Sequence, residues 1–139
     1  MLPTKGRLTT EFGESRTVNG APTTYRHNGI DIGAPRGTEV IATNSGKVVL
    51  AYELILTGNT VIIDHGEGIF SAYDHMDTLL VAEGDFVEQS QMIGTVGTTG
   101  FSTGPHLHFM ISYFDINLEP GYFLYGEPST KENYTEIMK

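Results

Sequence analysis

The apolar positions of this chain fall in short β-branched runs with turn residues between them. The runs are Glu39 to Thr43, Lys47 to Tyr52, Thr60 to Asp64, Ile69 to Tyr73, Met92 to Val96 and His106 to Tyr113. Runs of this length bounded by glycine, proline and asparagine read as strands. No window of eleven or more residues carries a 3.6-residue apolar period, and the best helical candidate is the polar tail from Ser129 to Lys139. The pattern therefore predicts an all-β protein of antiparallel sheets with many hairpins. Gly37-Thr38-Glu39-Val40 followed by Gly46-Lys47-Val48 is echoed by Gly84-Asp85-Phe86-Val87 followed by Gly94-Thr95-Val96. Each copy reads as turn, strand, turn, strand, so the sheets are expected to be built from duplicated hairpins packed as a sandwich or a closed sheet.

Length and composition narrow the class. The 139 residues suffice for one domain with an ordinary hydrophobic core. We expect that domain over residues 1–126, followed by a polar C-terminal tail over 127–139. There is no cysteine, which excludes disulfides, thiolate metal sites and a cysteine nucleophile. Seventeen acidic against eight basic residues give a net charge of -9, which argues against nucleic acid and against an anionic membrane surface. The apolar runs are far too short to span a bilayer. Lys5, Arg7, Glu11, Glu14 and Arg16 interrupt the first twenty residues, which do not read as a signal peptide. A protein working outside the cytoplasm would then begin upstream of Met1, with additional domains in a longer parent chain.

The chemistry concentrates on histidine. His106 and His108 are two residues apart on a predicted strand, so their imidazoles share one face while Leu107 and Phe109 take the other. Such a pair can serve a metal directly, or as one ligand and one neighbour. Upstream, His27 and Asp31 stand four apart in a stretch that Gly29, Gly33 and Pro35 keep out of a helix, so an extended or irregular turn must bring them together. Imidazole and carboxylate are standard zinc ligands, and three protein ligands leave one coordination position open for catalysis. The glycine- and threonine-rich stretch from Gly94 to Pro105 delivers the chain into the histidine pair, and its small residues let backbone approach a ligand closely.

The run from Gly97 to Phe109, ending in His106-Leu107-His108-Phe109, resembles the signature of the lysostaphin-type (M23) metallopeptidases. His27 to Pro35 is similar to that family's upstream His-x-x-x-Asp motif, and Tyr73-Asp74-His75-Met76 to its Tyr-x-His motif, in the same order. The resemblance runs from about Gly6 to Ile111. It implies that His27, Asp31 and His108 hold Zn2+ and that His75 and His106 are catalytic residues beside the metal. It assigns His65 no catalytic role, and Tyr73 is a candidate third polar group. It also implies a peptidoglycan peptide substrate, either a glycine-rich bridge or a D-amino-acid cross-link, and an extracytoplasmic location. The chain departs from the family at Met76, Met110, Asn117 to Gly121, and Glu53 to Gly58, the last being longer and more apolar than the usual connection.

Zinc with an open position lowers the pKa of bound water towards ~7. No His-Glu-x-x-His motif is present, so an imidazole must move the proton, and either His75 or His106 suits that task. Two rivals stand beside the enzyme. A regulator that activates other wall hydrolases is expected to have lost ligands, whereas all five positions are present here. A lipoyl- or biotin-type carrier needs an exposed hairpin lysine, and Lys47 lacks the flanking methionines of such modules.

Overall fold

In a computed structural model of the chain, residues 1–18 and 21–132 are described, with the backbone path alone given for 16–18 and 21–26. The strands are β1 (Arg7–Thr10), β2 (Ser15–Val18), β3 (Ala21–Arg26), β4 (Ile30–Gly33), β5 (Glu39–Ile41), β6 (Gly46–Leu54), β7 (Gly58–Gly66), β8 (Ile69–Leu79), β9 (Phe86–Val87), β10 (Met92–Val96), β11 (His106–Tyr113) and β12 (Ile116–Leu118). The main sheet runs β1-β4-β11-β8-β7-β6-β9, with β10 bridging β8 and β5 and with β12 on β11. Every strand pairing among the described residues is antiparallel, including the separate β2–β3 pair. The fold is the all-β architecture that the hydrophobic pattern predicts.

Each of the six predicted runs contains or overlaps a strand. Strands β1, β4, β9 and β12 lack the long apolar runs that made the others legible. The helix α1 (Gly121–Leu124) is a single turn. Residues 133–139, most of the stretch read as helical from Ser129, lie outside the described residues. Before them the chain is tied down: the Ser129 amide donates to Glu119 Oε1 at 2.9 Å, and the Lys131 amide to Glu11 Oε2 at 2.8 Å.

The duplicated motif is real but its copies exchange partners. β5 of the first copy pairs β10 of the second, and β6 of the first pairs β9 of the second. The equivalence extends to single bonds. Gly37 N donates to Val96 O and Val96 N to Thr38 O, while Gly84 N donates to Val48 O and Val48 N to Asp85 O. Crossing the copies places Val40, Val48, Val87 and Val96, all fully buried, in one core. Two separate hairpins would each leave an apolar face to cover, so interlocking buries both at once.

That core lies on one face of the β4-β11-β8 segment. Ile30 and Ile32 of β4, Leu107, Phe109 and Ile111 of β11, and Tyr73 of β8 all point into it. Strand alternation then sends the intervening residues to the opposite face. Register completes the arrangement, because His108 pairs with Asp31 on one side and with Asp74 on the other. Asp31, His108 and Asp74 therefore form a row across three strands.

Candidate metal centre

The polar row forms part of the lining of a cleft of about 750 Å³. His27, Asp31, His75, His106 and His108 all line it, so the structure brings these five predicted residues together. The turn at His27-Asn28-Gly29, between β3 and β4, folds His27 back over Asp31, with Nε2 3.3 Å from Oδ2. His108 Nδ1 lies 2.8 Å from Asp31 Oδ1. One potential ligand atom from each of His27, Asp31 and His108 lies within 4.8 Å of the others, and all three residues are buried.

The outward nitrogen of each imidazole has an acceptor, which sets the tautomer. His27 Nδ1 donates to Glu11 O at 3.1 Å, leaving Nε2 facing Asp31. His108 Nε2 donates to Asn28 Oδ1 at 3.0 Å, leaving Nδ1 towards Asp31. Fixing one ring nitrogen by a hydrogen bond so that the other can ligate is how metal-binding histidines are oriented. His75 Nδ1 donates to Thr99 O at 2.7 Å, and His106 Nδ1 to Gly104 O at 2.8 Å. Their rings lie 4.8 Å apart, centroid to centroid, and His106 Nε2 is 3.8 Å from Asp31 Oδ1.

His75 is placed by an irregular backbone. It adopts φ +63°, in the left-handed region, where the β7–β8 register shifts between Asn59 and Val61. A non-glycine residue there is uncommon and marks a built feature, often at a functional site. Its amide donates to Thr57 O at 2.7 Å, so the β6–β7 tip and the glycine-rich loop hold the residue between them. Burial holds the His75 imidazole below its ordinary pKa and keeps it ready to accept a proton.

The carboxylates differ. Burial would raise Asp31, but hydrogen bonds and charge from His108 and His27 overcome it and hold the carboxyl well below the usual range. Asp74 is 1% exposed, and neither of its oxygens has a hydrogen-bond partner among the described residues. Burial, with the Asp31 charge adding to it, pushes Asp74 up to about 7. Among the described residues, no lysine or arginine lines the cleft. Two imidazole nitrogens and a carboxylate oxygen, with a second buried carboxylate lacking any compensating charge, fit a divalent cation and match the usual donor set of zinc.

Two residues outside the expected set matter here. Asn28 lies inside the His27–Asp31 motif and Asp74 immediately precedes His75; the hydrogen bond to His108 places Asn28 in the site, and strand register places Asp74 there. Tyr73, by contrast, leaves it. The side chain is fully buried on the core face, and its hydroxyl accepts from the Thr43 amide at 3.0 Å and pairs with Ser71 Oγ at 2.8 Å. Burial pushes that hydroxyl up to about 12. His65 continues this chain, with Nε2 2.6 Å from Ser71 Oγ and Nδ1 donating to Ser45 O, and lies outside the cleft lining.

Comparison with known proteins agrees with this geometry. The model of peptidase family M23 matches residues 25–120. The chain is 35% identical over 105 residues to the peptidoglycan DD-endopeptidase ShyB of Vibrio cholerae, covering 76% of this chain and 25% of that protein. It is 40% identical over 119 residues to the murein hydrolase activator NlpD of Escherichia coli, covering 85% and 29%. The chain thus spans less than a third of these relatives' length. Among solved structures, the catalytic domain of the antimicrobial peptidase lysostaphin from Staphylococcus simulans superposes with a TM-score of 0.76 at 32% identity, covering 86% of this chain and 92% of that one. A zinc-containing peptidase from Vibrio cholerae gives a TM-score of 0.76 at 32% identity, covering 84% and 37%. Fold, ligand set and sequence agree that this chain is a member of peptidase family M23, with zinc as its cofactor.

Proposed function

We propose that the chain is a zinc endopeptidase that cuts peptide bonds in peptidoglycan stem or cross-bridge peptides. The observation that carries the reading is the complete site: His27, Asp31 and His108 converge, and the rings of His75 and His106 stand together beside them. In this assignment the first three hold the metal, which when bound supplies a Lewis acid and an activated water. His75 and His106 do the proton work. With Nδ1 of each committed to a carbonyl, Nε2 is the atom that accepts a proton from the attacking water or returns one to the leaving amine. The imidazole carrying the proton donates from Nε2 to the developing oxyanion.

The likeness to the DD-endopeptidase ShyB supports a peptidoglycan substrate, and with it an extracytoplasmic site of action. We place the peptidase domain at 1–126, with further domains in a longer parent chain. A second reading rests on the likeness to NlpD, under which the domain would activate other murein hydrolases. Paired variants test the assignment. His108→Ala loses zinc and activity together, while His75→Ala keeps zinc and loses activity. Zinc retained at wild-type affinity in His108→Ala would break the ligand assignment.

A further inference from the structure

Asp74 has no role in the mechanism above, yet among the described residues its two oxygens are the buried side-chain atoms left without a hydrogen-bond partner. Its neighbours in sequence are accounted for, since Tyr73 goes to the core and His75 to the cleft wall. Asp74 itself lines the cleft and is 1% exposed, and both its oxygens lack a partner among the described residues. Buried carboxylates are ordinarily paired or coordinate a metal, because an isolated one loses its hydration for nothing in return. The other buried acid, Asp31, is engaged by two imidazoles. Nothing comparable reaches Asp74.

The register says what it faces. On β11, His108 has Asp31 as its partner on β4 and Asp74 as its partner on β8. Asp74 is therefore in the metal row, on the far side of His108 from Asp31. It is not among the three residues whose ligand atoms lie within 4.8 Å of one another. Charge counting completes the argument. A divalent cation held by two neutral imidazoles and one carboxylate leaves one positive charge uncompensated in a low-dielectric site. A second carboxylate in the same row makes the buried assembly neutral.

We propose that Asp74 is a second carboxylate of the metal centre, acting as the counter-charge that tightens binding of the divalent ion without being one of its ligands. The inference rests on the metal-centre reading and adds a residue to it. It explains why an acid is tolerated between a core tyrosine and a catalytic histidine: the charge that burdens the empty site balances the filled one.

The test is zinc affinity, measured for the wild type and Asp74→Asn by competition with a chromophoric chelator at fixed pH. The variant is expected to bind zinc at least about tenfold more weakly, the range over which groups surrounding a metal site act. Its zinc-free form is expected to melt at or above the zinc-free wild type, so the stabilisation by zinc shrinks from both ends. With cobalt(II) in place of zinc, the visible spectrum of the variant should match the wild type, because the ligands are unchanged. Asp74→Ala is read the same way and guards against an ill-fitting amide. Affinity within threefold of wild type, or zinc-free variants that both melt well below it, would overturn the proposal, and so would an altered cobalt spectrum. A wild type that binds no zinc would instead overturn the metal-centre reading itself.

Discussion

Gly100→Ala tests how the site is held rather than what it contains. Gly100 sits at φ +73° where the glycine-rich loop crosses the β6–β7 tip, and a Cβ there would lie 2.4 Å from Gly58 N and 2.7 Å from Leu56 O. Both contacts are with backbone, so the loop must move. The left-handed conformation alone costs an alanine about 1–2 kcal/mol. Loss of the 2.8 Å bond from Phe101 N to Leu56 O adds about 1 kcal/mol. The sum, about 2–3 kcal/mol, is enough to open this joint while leaving the core untouched. What moves is Thr99, whose carbonyl accepts from His75 Nδ1. A catalytic group displaced by ~1 Å can lose about 100-fold in rate. The proposed ligands His27, Asp31 and His108 sit on other elements and should not respond. We therefore expect activity on peptidoglycan to fall by about 100-fold, zinc affinity to hold within about threefold, and the melting temperature to drop by no more than about 10 °C. Activity within threefold of wild type would refute the claim that this joint positions His75, and loss of zinc would show that the loop supports the ligands instead.

Two further outcomes follow from the same geometry. Asn28→Ala removes the acceptor that fixes His108 Nε2 and should weaken zinc binding by about 10–100-fold by chelator competition, with little change in fold; an unchanged affinity would show that the tautomer is set otherwise. In the zinc-free protein, Asp31 and Asp74 give stability opposite pH dependences. Asp31, held below the usual range, contributes stability that is present above the unfolded carboxylate pKa and lost as pH falls below it. Asp74, raised from 3.8 to about 7, favours the folded state at low pH and loses that contribution as pH rises between those values, by on the order of 4 kcal/mol at most. Thermal melts of chelator-treated protein across that interval should show the decline, and Asp74→Asn should flatten it; parallel curves would contradict the assignment.

The sequence was most legible where apolar periodicity and function coincide. In β11, alternation alone put His106 and His108 on one face and Leu107 and Phe109 on the other, and the structure has them so. The pairing of the duplicated segments was not legible, because two short runs of equal character can pair within or across copies and only burial of both faces decides between them. Asp74 was hidden for another reason. An aspartate beside a histidine carries no signal of burial, and its place in the metal row depends on the bulge at His75 and on a strand pairing separated by 34 residues from His108 (108 minus 74). Tyr73 sits in the same motif as His75, yet strand alternation turns it to the core, where Thr43 and Ser71 occupy its hydroxyl.

The central claim is that this cleft cuts peptidoglycan with a metal held by His27, Asp31 and His108. Its most direct test is to incubate the purified chain with added zinc on isolated peptidoglycan and identify released fragments by mass spectrometry, with a chelator control. The account predicts chelator-sensitive release of peptides cut at a single type of bond. Intact cross-links after incubation, combined with faster digestion when another murein hydrolase is added, would contradict it and favour the activator reading.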